Sequence, residues 1–224
     1  MKAALLVALA AALPGAAPRG VLLGHSVQGR RILAVELGDP AGPRKALVVG
    51  CIHGNECAGI AIIRRLRQLG AVPGVDLWLV PDANPDGHAA DRRWNAHGVD
   101  LNRNFPWRWR HSTGVFASGP RPASEPETRV MMRLIARLRP RVTIWFHQHL
   151  NMVVLTGGNL GLQRRFARLV GLRAGRLRCC PGTATGWSNG RFPGTTAFVV
   201  ELHAGSLTRQ QVDRFARAVR IVVR

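Results

Sequence analysis

No tyrosine occurs among the 224 residues, and Lys2 and Lys45 are the only lysines. A site in this chain therefore has no phenol to draw on, and its positive charge is carried almost wholly by arginine. Acidic residues are few, 12 against 32 basic ones, for a formal net charge of +20. Such a field attracts polyanions. The arginines, however, are scattered through every segment, as a compositional bias would scatter them, and no basic stripe, zinc finger or one-sided basic helix stands out. Nucleic-acid binding is not expected. The four cysteines contain no C-x-x-C pair, which argues against a zinc site made of thiolates. Internal repeats and low-complexity linkers are missing too. At this length, with 46% apolar residues, the chain suffices for one well-buried domain.

What is present begins with an export-like start. Lys2 supplies a positive end, Ala3 to Leu13 an apolar run, and Pro14-Gly15-Ala16-Ala17 a small-residue cleavage region, so residues 1–17 read as a signal peptide and 18–224 as the mature domain. The apolar run is too short to span a bilayer, and no transmembrane anchor is expected. Secretion or delivery to the periplasm permits a disulfide. Several pairings are open, although Cys179 and Cys180, being adjacent, are not expected to bond to each other.

Short β-rich runs alternate with longer helical ones, the pattern of an α/β domain. Strands are expected at Ile32 to Leu37, Ala46 to Cys51, Val75 to Val80, Val142 to His147, Val153 to Thr156 and Thr196 to Leu202, several of them apolar enough to be covered on both faces. Helices are expected at Ala58 to Leu69, Glu125 to Leu138, Leu160 to Ala174 and Leu207 to Val223. Ser124 and Glu127 have the spacing of a capping box for the second helix, which makes Glu125 and Glu127 structural. Between Ala83 and Ala123 lies a long stretch rich in Pro, Gly, Asn and Arg. A loop of that length inside a compact domain is usually functional or disordered.

Four segments carry chemistry. Gly50-Cys51-Ile52-His53-Gly54-Asn55-Glu56 follows an apolar strand and leads into a helix, so an imidazole and a carboxylate three residues apart can turn toward one point. Both are ordinary zinc ligands, and a catalytic site needs three protein ligands and an open position. The others are Gly98-Val99-Asp100-Leu101-Asn102-Arg103-Asn104-Phe105, Ile144-Trp145-Phe146-His147, and Phe198-Val199-Val200-Glu201-Leu202. His149 competes with His147, because period-two alternation puts both on one side of a strand. Glu201 stands in an apolar run, where a lone carboxylate is costly unless paired or used.

These segments, in this order, resemble the zinc metallocarboxypeptidase family, and in detail its compact bacterial branch that trims peptidoglycan peptides. The resemblance covers Gly24 to the last helix. It implies that His53, Glu56 and His147 hold one Zn2+ per chain, and that Asp100 accepts a hydrogen bond from His53, fixing the ring's tautomer. Asn102 and Arg103 would bind the substrate's free carboxylate, the arginine by a two-pronged grip. Arg93 would stabilise the oxyanion, with its neighbour Arg92 as the alternative. Glu201 would be the general base that takes a proton from water and passes it to the leaving amine. With no tyrosine, the mobile tyrosine of the digestive enzymes has no counterpart; Trp187 or Asn189, in a segment like the bacterial specificity loop, would cover the substrate. His149 and His203 stand where the bacterial pattern has proline.

The expected fold is a mixed, mostly parallel twisted sheet flanked by helices on both faces, with zinc at the carboxyl ends of central strands. The expected activity is that of a zinc metallocarboxypeptidase, a hydrolase cutting an amide bond beside a residue with a free carboxylate. The substrate would be a peptide or cell-wall peptide, with the γ-D-glutamyl-diaminopimelate bond of murein as its target. A zinc deacylase or amidase on the same scaffold would not need Asn102 and Arg103, and a basic binding protein without catalysis would lack a ligand or the base.

Overall fold

The computed structural model describes residues 18–177 and 180–224. The segment read as a signal peptide and Cys179 lie outside the described residues. The strands are β1 (Arg19–His25), β2 (Arg31–Gly38), β3 (Arg44–Val49), β4 (Val75–Val80), β5 (Val142–Gln148), β6 (Met152–Val154), β7 (Arg173–Gly175) and β8 (Thr196–Leu202). The helices are α1 (Gly59–Leu69), α2 (Pro85–Ala89), α3 (Pro126–Leu138), α4 (Leu160–Val170), α5 (Ala184–Arg191) and α6 (Arg209–Val222).

The strands form one sheet in the order β1-β2-β4-β3-β5-β8-β6-β7. Its middle, β4, β3, β5 and β8, is parallel throughout, and antiparallel pairings join β2 to β4 and β8 to β6. Every residue of β4 and β8 is buried, as the unbroken apolar runs require of strands covered on both faces. On one face Ile62 and Leu66 of α1, Phe166 of α4 and Phe215 and Val219 of α6 pack against Val48, Ile144 and Phe198. On the other, Met131, Leu134 and Ile135 of α3 and Trp187 of α5 pack against Leu47, Val49 and Trp145. Among the described residues no helix is long and apolar enough to cross a membrane.

Chain order places the site. From β3 the chain passes through α1 to β4 on one side, then through α3 to β5 on the other. The two connections leave in opposite directions, so the carboxyl ends of β3 and β5 meet at a topological switch point, the position where open α/β sheets bind ligands.

Several sequence expectations are corrected. The capping box at Ser124 does not form: Pro126 occupies the first turn, Glu125 becomes the capping position without a side-chain bond, and Ser124 Oγ donates instead to Glu125 Oε1 at 2.6 Å. Glu127 turns inward and accepts hydrogen bonds from the Val27 N–H and the Asn95 amide, so both glutamates are structural, by other contacts than expected. A capping box does occur at Thr208 and Gln211 of α6. The helix expected over Leu160 to Ala174 stops at Val170, where Gly171 adopts φ +73°, and its last residues become β7. Helix α5 was hidden by its glycines. A Cβ on Gly186 or Gly190 would press into the Trp107 ring, so the tertiary contact selects residues that disfavour helix on their own.

The long segment after Leu101 is ordered around Asn104, which is fully buried. Its amide donates to Ser118 O, Arg121 O and Ser124 Oγ at 2.8–3.1 Å and its carbonyl accepts from the Glu125 N–H at 3.2 Å. Replacing it strands several buried backbone groups. Asn104→Ala is expected to lower the unfolding free energy in urea by roughly 2–4 kcal/mol; a loss within error of zero would show that this loop is held elsewhere.

Candidate metal centre

After β3, the chain turns through Gly50 to Ile52, which keeps the turn on the sheet by Gly50 N–H to Val80 O and Ala83 N–H to Cys51 O. A disulfide joins Cys51 to Cys57 across this loop, and inside it lie His53 and Glu56. Gly54 is obligatory here, because a Cβ would overlap the backbone of Gly87 and His88 in α2. His147 comes from the end of β5, where parallel pairing sets it level with Glu201 of β8. Registered neighbours in a sheet project to the same side, so that pairing puts a ring and a carboxylate next to each other.

His53, Glu56 and His147 converge. His53 Nδ1 lies 2.9 Å and His147 Nδ1 3.1 Å from Glu56 Oε2, and the two ring nitrogens are 3.2 Å apart. Ligand atoms at the corners of a tetrahedral zinc site, with bonds of about 2.0–2.1 Å, stand about 3.3 Å from each other. All three residues are buried or nearly so, 2%, 9% and 3% exposed. His149, the competitor of His147, is exposed beyond the end of β5 and does not join the group.

A second layer holds the first. Asp100 Oδ1 lies 3.0 Å from His53 Nε2; when that nitrogen donates, Nδ1 presents its lone pair to the centre of the triangle. A lone pair and a carboxylate oxygen facing each other in a buried place call for a proton or a metal cation between them. Arg93 Nε and Nη2 donate to Asp100 Oδ2 at 3.0 and 2.8 Å, and Nη1 donates to Glu56 Oε1 at 2.8 Å. Arg92 points to solvent. Each terminal nitrogen of Arg93 thus keeps a second N–H.

The charges follow from these contacts. Burial alone would push the His53 pKa down, but the carboxylates of Asp100 and Glu56 outweigh it and hold the ring above its ordinary value. Burial likewise opposes ionisation of Glu56, yet hydrogen bonds from His147 and His53 keep it far below the usual carboxylate range. Asp100 is depressed in the same way by His53 and Arg93 against its burial. Glu201 goes the other way: burial raises it, His147 counters only in part, and the Glu56 carboxylate adds to the rise. Its Oε2 and His147 Nε2 have no hydrogen-bond partner among the described residues. The centre therefore combines a ligand set with a buried carboxylate ready to receive a proton.

Asn102 and Arg103 form the short helical turn beyond Asp100. The Asp100 side chain caps it by accepting the Asn102 N–H at 2.9 Å. Asn102 Oδ1 accepts the Ala184 N–H at 3.0 Å, which ties this turn to the start of α5. Arg103 Nη1 donates to the Asn102 carbonyl at 2.7 Å. Trp187 does not join the group. It is 7% exposed and packs on Phe105 and Phe192 with ring centroids 6.0 and 5.4 Å away, because α5 turns that residue into the core. Asn189 is also structural: its amide donates to Ala197 O and its carbonyl accepts from Ala197 N–H. Sequence reasoning missed Phe116, whose ring lies 4.9 Å from the Arg103 guanidinium and 5.6 Å from that of Arg93; it sits in a segment without periodicity, and no motif marks it.

The family model of zinc carboxypeptidases matches residues 3–162. Among curated proteins, murein peptide amidase A of Escherichia coli strain K12 is 35% identical over 128 residues, 50% of this chain and 52% of that protein. Carboxypeptidase D of Drosophila melanogaster is 31% identical over 119 residues, 40% of this chain and 8% of that protein. The chain spans about half the length of the murein peptide amidases it matches. A solved murein-tripeptide amidase from Escherichia coli O157 superimposes with a TM-score of 0.77 at 24% identity, over 96% of this chain and 94% of that one. Carboxypeptidase A from Helicoverpa armigera gives 0.80 at 18% identity, over 92% and 68%. At these identities the two structures establish the fold.

Removing the outer partner of His53 is expected to loosen the metal while leaving the ligands in place. Asp100→Asn should weaken zinc binding about 10- to 100-fold in competition with a chromophoric chelator. Unchanged affinity would mean that Asp100 does not orient the ring.

Proposed function

The chain belongs to the zinc carboxypeptidase family, and from that premise we propose that it hydrolyses the amide bond next to a residue with a free carboxylate, acting on murein peptides. The observation that carries this reading is the arrangement of the three candidate ligand atoms within 3.2 Å beside the unpartnered oxygen of Glu201. His53, Glu56 and His147 would hold the zinc. When bound, the ion supplies Lewis acidity, which polarises the scissile carbonyl and makes water a stronger nucleophile.

The chain's own side chains do the rest. Glu201, with its pKa raised by burial, takes a proton from the attacking water and hands it to the departing nitrogen. Arg93 keeps its guanidinium fixed through Asp100 and Glu56 and directs its remaining N–H groups to the oxyanion. Arg103 grips the terminal carboxylate with the donors not spent on Asn102 O. Asn102, whose carbonyl is already engaged with Ala184, offers its amide N–H to the same carboxylate.

The murein assignment is supported by the relatives named murein peptide amidase A and by the basic character of the chain. The bond between γ-linked D-glutamate and diaminopimelate is the expected target, and export directed by residues 1–17 would bring the enzyme to it. The test compares the parent with Glu201→Gln on a murein tripeptide and on ordinary C-terminal dipeptides. The parent should cleave the tripeptide in preference, and the variant should retain zinc while kcat falls roughly 10²- to 10⁴-fold. A variant as active as the parent removes Glu201 from the mechanism, and cleavage of dipeptides alone removes murein as the substrate.

A further inference from the structure

Phe116 is an apolar ring 50% exposed at the tip of the turn Gly114–Phe116, next to Val115 at 57%. Large apolar side chains left in water usually answer to a contact rather than to the core. Here the contact is with two site arginines at once: the ring centroid lies 4.9 Å from the Arg103 guanidinium carbon and 5.6 Å from that of Arg93. Both fall within the range at which a cation is attracted to an aromatic face.

The turn is anchored on both sides. Trp94 Nε1 donates to Val115 O at 2.9 Å, Ser112 Oγ to Phe116 O at 2.5 Å, and the Asp100 N–H to Ala117 O at 2.7 Å. The last bond ties the ring's backbone to the residue that orients His53. Burial and the neighbouring Arg93 charge make the Arg103 charge costlier to keep, while the carboxylates of Asp100 and Glu56, both bonded to Arg93, favour it. An aromatic face between or beside two such guanidiniums attracts both, and it leaves their planar N–H edges free for an anion.

We propose that Phe116 is a positioning residue of the carboxylate-binding subsite, holding Arg103 and Arg93 in register so that their N–H edges meet a substrate carboxylate and the reacting carbonyl. The proposal rests on the role given above to Arg103. It assigns to an aromatic ring on the loop, and not to Trp187, the aromatic contribution to substrate binding. The ring acts through its π face, so an aliphatic residue of similar bulk should not replace it.

The experiment uses the zinc-loaded parent, Phe116→Leu and Phe116→Trp, with zinc content and Tm measured on each. On a murein tripeptide, Phe116→Leu should raise KM roughly tenfold with a smaller change in kcat, and Phe116→Trp should stay near the parent. Independently of turnover, NMR titration with N-acetylalanine should show the same weakening in Phe116→Leu, while the uncharged N-acetylalaninamide should not discriminate between the proteins. If the parent cleaves no peptide but binds N-acetylalanine through Phe116, the proposed hydrolysis fails and this inference stands. A Phe116→Leu protein with parental KM and affinity overturns it, as does a loss that Trp does not restore or an N-acetylalanine affinity too weak to detect in the parent.

Discussion

Two imidazole nitrogens and a carboxylate oxygen meet within 3.2 Å on largely buried side chains, an arrangement that a bound cation would balance. The rest of the structure serves that meeting. Parallel β3 and β5 bring the three carriers to one end of the sheet, and β8 sets Glu201 level with His147. Gly54 lets the ligand loop lie against α2, and the Cys51–Cys57 disulfide closes that loop. Burial makes the arrangement expensive without the ion, since each polar atom has left water. The same burial makes it selective with the ion, since few other groups compete for it.

Around the centre the charges form a graded set. Asp100 and Glu56 are held ionised by the histidines and Arg93, while Glu201, a neighbour of His147 in the sheet, has its pKa raised by burial and by Glu56. Three carboxylates thus take two kinds of role through environment alone, two fixed as anions and one able to accept and release a proton. Among the many arginines of this chain, Arg93 and Arg103 are distinguished by what they touch. Arg93 is bonded to two site carboxylates, and Arg103 leans on Asn102 and Phe116; Arg92 has the same side chain and faces solvent.

The central strands and long helices were legible because their apolar periodicity is strong. Edge strand β1 and the short β7 lack it, with no fully buried residue in either. Helix α5 was hidden because Gly186 and Gly190 serve the Trp107 contact instead of helix propensity. At the site, His53 and Glu56 were marked by their spacing, Asp100, Arg93 and His147 were reached through the family resemblance, and the contacts that set Arg93 apart from Arg92 and His147 apart from His149 needed coordinates. Residues that act through long-range contacts were not readable: Asn104 organises a loop whose partners lie up to 21 residues away, and Phe116 meets the site only after that loop has folded. The substrate role of Trp187 follows only from the resemblance of its segment to the bacterial specificity loop; that segment forms a helix and turns Trp187 into the core.

The central claim is that His53, Glu56 and His147 form one zinc site. Crystals of the protein grown with zinc, measured on both sides of the zinc absorption edge, test it most directly. The account predicts one anomalous peak per chain within bonding distance of His53 Nδ1, Glu56 Oε2 and His147 Nδ1, absent in crystals of His147→Ala grown at equimolar zinc. A peak elsewhere, or none at these atoms in the parent, would contradict it.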